Sequence, residues 1–150
     1  MFLPSRLVKI TAINGTINSA CLFLRDELPT KTRYLTLSYC WGSQRIASLE
    51  SAMFKEYRTN IPLSSLSKTF KEAFQVTVWL GYQYIWIDSL CIQQDSKSDW
   101  ETEAATMGMV YGISTCTIAA TGARNGDAGL FFDRSSISLM KCPLLKLPGQ

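Results

Sequence analysis

An alternation is the pattern that most restricts how this chain can fold. Three short apolar runs, YLTLSYCWG at 34–42, YIWID at 84–88 and TCTIAATG at 115–122, are separated by two stretches of helical length. Runs of this size, bounded by Gly42 or Gly122 and rich in β-branched or aromatic residues, read as buried strands. Between the first two, Pro62 and Ser64 open a helix that is expected to reach about Leu80, with Gly81 in the C′ position. Its apolar residues Leu66, Phe70, Ala73, Phe74 and Leu80 follow helical spacing. Between the second and third runs, Ser98 and Glu101 form an S-x-x-E capping pattern for a helix reaching about Tyr111. Strand, helix, strand, helix, strand is the order of an α/β fold with a mainly parallel sheet and flanking helices. Ahead of it, RLVKI (6–10) and NSACLFLRDEL (18–28) bracket Asn14-Gly15 and are expected as an N-terminal β-hairpin. Residues 43–60 lack periodicity and read as a long loop with one helical turn.

Composition narrows the function. With 150 residues, 47% of them hydrophobic and 18% charged, the chain can bury the core of one domain. The net charge of +3 comes from basic residues scattered singly. Nucleic-acid binders cluster theirs, so no nucleic-acid partner is expected. No apolar run approaches the ~18 residues of a membrane span, and MFLPSRLVKI lacks the layout of a secretory signal. A cytoplasmic protein is expected, without a membrane partner. The five cysteines are odd in number and none is spaced CxxC, which fits reduced, unpaired thiols. The chain has no histidine, which removes Ser-His-Asp and Cys-His catalysis and every imidazole-dependent metal site, so no metal is expected.

Ligands of open α/β sheets bind beyond the carboxyl ends of the strands. Three such ends, Tyr39-Cys40-Trp41-Gly42-Ser43, Asp88-Ser89-Leu90-Cys91 and Thr121-Gly122-Ala123-Arg124, should converge. Asp88, with Trp41 and Arg124 in the adjacent loops, could hold a small polar ligand; equally, its side chain could cap the turn that follows it. On the second helix Trp100, Ala104, Met107, Val110 and Tyr111 share a face, and Glu103 falls inside that arc whereas Glu101 falls outside. A carboxylate on a packed face must be paired, hydrogen-bonded or set in a cleft, and the spacing leaves these alternatives open. Cys40 and Cys91 have no base beside them in the sequence to make them nucleophiles. The glycine-rich GARNGDAG (122–129) follows a strand without opening a helix, which fails the context of a phosphate loop.

Taken together, YLTLSYCWGS (34–43), LSKTFKEAFQVTVWLGYQYIWIDSLCIQQD (66–95), DWETEAATMGMVYGISTCTIAATGARNGDAGL (99–130) and the FFDR that follows resemble the fungal heterokaryon-incompatibility (HET) domain. The "SY-x-WG", "W-I-D-S-L-C-I-x-Q-D" and "D-W-x-x-E-…-M-…-Y" blocks are specific as a set. The resemblance implies a domain over residues 1–134, with 135–150 a C-terminal tail that begins a further region. It implies a cytoplasmic module that triggers cell death when unlike individuals fuse. The HET domain is distantly similar to the TIR domain, which implies a flavodoxin-like sheet. Some TIR domains cleave NAD⁺ between nicotinamide and ribose, using a glutamate shortly after a Trp. Glu103, three residues after Trp100, takes that place, one residue closer than is usual. The resemblance therefore implies a catalytic Glu103 and ligand contacts from Tyr39, Trp41, Gly42, Asp88 and Arg124. NAD⁺ or a related nucleotide would be substrate rather than cofactor, and partners would be a second copy or another incompatibility protein. Two other functions fit the same residues: a non-enzymatic self-associating signalling module, and a nucleotide-binding regulator without turnover.

Overall fold

The computed structural model describes residues 2–43, 46–122 and 127–133. In chain order its elements are β1 (Arg6–Ile13), β2 (Thr16–Leu24), β3 (Leu35–Ser38), α1 (Phe54–Thr59), α2 (Lys68–Trp79), β4 (Tyr84–Trp86), α3 (Asp88–Cys91), α4 (Lys97–Ile113) and β5 (Cys116–Ala119). The first two strands form the expected hairpin, paired antiparallel from Ile13↔Thr16 back to Arg6↔Leu24. Asn14 and Gly15 have φ of 50° and 77°, the positive pair that a two-residue type I′ turn requires.

The five strands lie in the order β2-β1-β4-β3-β5. Strand β3 runs parallel to both β4 and β5, while β1 is antiparallel to β2 and β4. The α/β class, the flanking helices and the hairpin are as expected, with the parallel character confined to β4-β3-β5. Alternate residues of a strand face opposite sides, and β3 shows what covers each. The Tyr34 hydroxyl, just before β3, donates to the Val110 carbonyl of α4 at 2.7 Å, and Trp86 meets Tyr111 of α4 edge-on. On the other side Tyr39 meets Phe70 of α2 edge-on, at 5.0 Å between centroids. The core between these layers includes Leu7, Val8, Leu35, Leu37, Phe70, Phe74, Ile85 and Trp86, all with no exposed surface. Burying a side chain of this size contributes about 1.5–3 kcal/mol.

Helix starts differ from the sequence expectation. Pro62 and Ser64 belong to a separate 3-10 turn, and α2 is capped by Ser67, whose Oγ accepts from Phe70 N. Gly81, at φ 81°, closes α2 as expected. Ser96, not Ser98, caps α4 by accepting from Asp99 N at 3.3 Å. The packed face of α4 keeps Glu103, Met107, Val110 and Tyr111 as expected, with Glu103 and Val110 buried, whereas Trp100 is 53% exposed. Cys21, Cys40, Cys91 and Cys116 are free thiols, whereas Cys142 lies outside the described residues. No helix among the described residues is long and apolar enough to cross a membrane.

Candidate functional site

Because β3, β4 and β5 run parallel, their carboxyl ends share one edge of the sheet. The chain goes from β3 to β4 on one side and then crosses to β5 on the other. That reversal is a topological switch point, where flavodoxin-like sheets of strand order 2-1-3 place their ligand. A crevice of about 170 Å³ opens there, lined by Ser38, Tyr39, Cys40, Ala119, Ala120 and Thr121. Its two walls are tied by Ala120 N donating to the Ser38 carbonyl and by a Thr36–Thr117 hydroxyl bond, both 2.8 Å long.

Beside the crevice, Asp88 collects three donors. The Tyr39 hydroxyl and Ser89 N donate to its Oδ1 at 2.8 and 2.7 Å, and Trp41 Nε1 donates to its Oδ2 at 2.8 Å. The turn-capping and site-forming roles foreseen for Asp88 thus coexist in one carboxylate. Burial, and then the Asp88 charge, push the Tyr39 hydroxyl far above its ordinary range, so it remains a donor. Trp41 lies nearly parallel to Tyr39, at 14° and 6.4 Å between centroids, and is 40% exposed. Gly42 follows at φ 68°, a left-handed conformation that side chains resist. The loop beyond is pinned to the segment after β4: Leu49 N donates to the Ser89 carbonyl, Gln94 N to the Leu49 carbonyl, and Ser51 N to Asp95. Tyr39, Trp41, Gly42 and Asp88 are therefore brought together, and Arg124 lies outside the described residues.

Glu103 follows the pairing alternative. It is 3% exposed, and its Oε1 lies 3.6 Å from Arg6 Nη2. Arg6 is itself buried, donates through Nε to the Cys91 carbonyl at 2.6 Å, and donates through Nη2 to both oxygens of Asp99 at 2.7 and 2.6 Å. Asp99 also accepts from Gln93 N at 2.8 Å. One guanidinium on β1 thus fastens the end of α3 to the first turns of α4. The other expectation puts Glu103 in a concave site with Asp88 or the 39–43 loop. No hydrogen bond or ion pair joins Glu103 and Asp88 among the described residues, although the buried Cys91 thiol feels both charges. Burial, the leading cause, pushes that thiol up to about 12, which leaves it inert.

Gly122 and Gly129 serve close packing. A Cβ on Gly122 would stand 2.1 Å from the Phe132 ring, and one on Gly129 would stand 2.6 Å from Glu72 Oε2. Glu72 accepts from the backbone N–H groups of Leu130 and Phe131, and Thr69 Oγ1 from that of Gly129. A larger cleft of about 410 Å³, lined by Ile46, Met53, Tyr57 and Pro62 among others, has Glu50 as its one charged side chain. The converging polar groups, Tyr39, Trp41 and Asp88, adjoin the smaller crevice through Tyr39. Among the described residues no cluster of His, Cys, Asp and Glu could hold a metal ion.

Neither the curated proteins nor the solved structures provide a match to this chain. A family model described as Heterokaryon incompatibility protein (HET) matches residues 34–145, from the start of the parallel unit through and beyond the crevice. With well over half of its length matched, the chain belongs to the heterokaryon incompatibility family.

Proposed function

We propose that this incompatibility domain is a cytoplasmic cell-death effector that binds NAD⁺ at the β3/β5 crevice and hydrolyses its nicotinamide–ribose bond. One juxtaposition supports this reading: a held carboxylate, Asp88, and an exposed indole, Trp41, beside a crevice at the switch point of the parallel strands. The chemistry balances without histidine. The bond from ribose C1′ to the ring nitrogen breaks, both its electrons stay with the nitrogen, and nicotinamide leaves neutral. Water adds to C1′, giving ADP-ribose and one released proton. Positive charge moves from the ring to the ribose on the way, and a fixed carboxylate stabilises it there.

Asp88 is the carboxylate at that edge. In this reading Glu103, closed off against Arg6, positions α4 and does not touch substrate. The test is to incubate the purified chain, free and artificially clustered, with NAD⁺ and measure free nicotinamide. Release above the no-protein control is expected, and its absence in both states would overturn the hydrolase. A second reading, self-association without catalysis, is favoured by β5. It is an edge strand, largely exposed, with no charged residue from Thr115 to Ala120, and such edges accept another strand.

A further inference from the structure

We infer that the corner formed by Asp88, Trp41 and Tyr39 recognises a cationic aromatic ring, and that it selects the positively charged pyridinium over the neutral ring. This deepens the proposed function and rests on it for the identity of the ligand. The first observation is a carboxylate without an ion-pair partner among the described residues. Ion pairs among the described residues join Arg6 to Asp99 and Glu103, Arg58 to Glu27, Lys68 to Glu72 and Lys97 to Glu101. None includes Asp88, whose three donors are a phenol, an indole and a peptide N–H, all neutral. Such donors fix the carboxylate without cancelling its charge, so Asp88 presents a negative charge to an incoming cation.

The second observation is the ring that accompanies it. Trp41 is tied at its Nε1 edge, aligned with Tyr39, and still 40% exposed. An indole face attracts cations, and more strongly than other aromatic faces do. A flat cation can therefore use face and charge together, whereas a neutral ring of the same shape gains only the stacking. The crevice alongside, lined by Tyr39 and Cys40, gives the rest of a larger ligand a direction to extend.

The experiment titrates the purified chain, by calorimetry and by tryptophan emission, with three probes: the N-methylnicotinamide cation, neutral nicotinamide and ADP-ribose. The cation is expected to bind about tenfold more tightly than nicotinamide. Asp88→Asn, which keeps an oxygen acceptor for Ser89 N, is expected to erase that preference. Trp41→Leu, which leaves the carboxylate, is expected to weaken both rings and to remove most of the emission change. Thermal melts of the two variants check that each is folded. Equal binding of the two rings, or a preference that survives in folded Asp88→Asn, would overturn the inference; if ADP-ribose still binds, the nucleotide reading stands without it. Failure of all three probes to bind the wild-type chain would overturn both.

Discussion

Replacing Arg6 by Ala should be among the most damaging single changes available in this domain. Arg6 is 8% exposed, and its guanidinium faces two carboxylates, Asp99 at hydrogen-bond distance and Glu103 at 3.6 Å, while its Nε satisfies the Cys91 carbonyl. Truncation leaves two largely buried negative charges together with no cation between them. Removing one partner of a buried pair costs about 3–5 kcal/mol, against a total of roughly 7–20 kcal/mol for a domain of this length. At about 2–4 °C per kcal/mol, the melting midpoint should fall by about 10 °C. Glu103→Gln keeps the shape and removes one of the two charges that share Arg6, so its midpoint should move by about 4 °C or less, in either direction. The double variant should melt above Arg6→Ala alone, because one orphaned charge is gone. Thermal melts of the three variants by circular dichroism give all of these values. An Arg6→Ala protein that melts with the wild type would refute the reasoning, since it would mean that both carboxylates reach water.

Two further outcomes follow from the same geometry. Deleting residues 2–33, which precede the family match, removes β1, β2 and Arg6 and uncovers the side of β4 that β1 pairs; the remainder should be insoluble or lack cooperative melting, and a soluble, cooperatively melting remainder would contradict the hairpin's structural role. Under native conditions Cys40 and Cys116, both exposed, should alkylate readily, whereas buried Cys91, with its thiol pushed up to about 12, should react only after unfolding. Peptide mapping after pulse alkylation separates the sites.

Elements fixed by local period were legible in the sequence. The Asn14-Gly15 hairpin, the three parallel strands and the Gly81 stop each depend on neighbours a few residues away, and each is where it was expected. Tyr39, Trp41, Gly42 and Asp88 were legible as a group because the strand-end rule places them without knowledge of any contact. Arg6 was not. Its partner Asp99 lies 93 residues away, and nothing at the start of a strand marks an arginine as buried. The one departure on the expected face of α4 is the exposed Trp100. The outer face of the helix also exposes Met109 and Ile113, while Arg6 pairs with Asp99 and with Glu103, which the apolar period puts inside the arc. The S-x-x-E pattern points to Ser98 as the cap, but the turn that ends at Gln94 and Asp95 puts Ser96 first.

In the proposed reaction the carboxylate that meets the ligand is Asp88, while Glu103 stays closed off against Arg6. The most direct measurement compares nicotinamide release by wild type, Asp88→Asn and Glu103→Gln under identical clustering, each confirmed folded by its melt. Asp88→Asn is expected to lose about 10²–10³ in rate, the loss seen when one preorganised electrostatic stabiliser is removed. Glu103→Gln is expected to stay within a few-fold of wild type. The reverse result, with Glu103→Gln inactive at normal stability and Asp88→Asn active, would contradict the claim and return the catalytic role to Glu103.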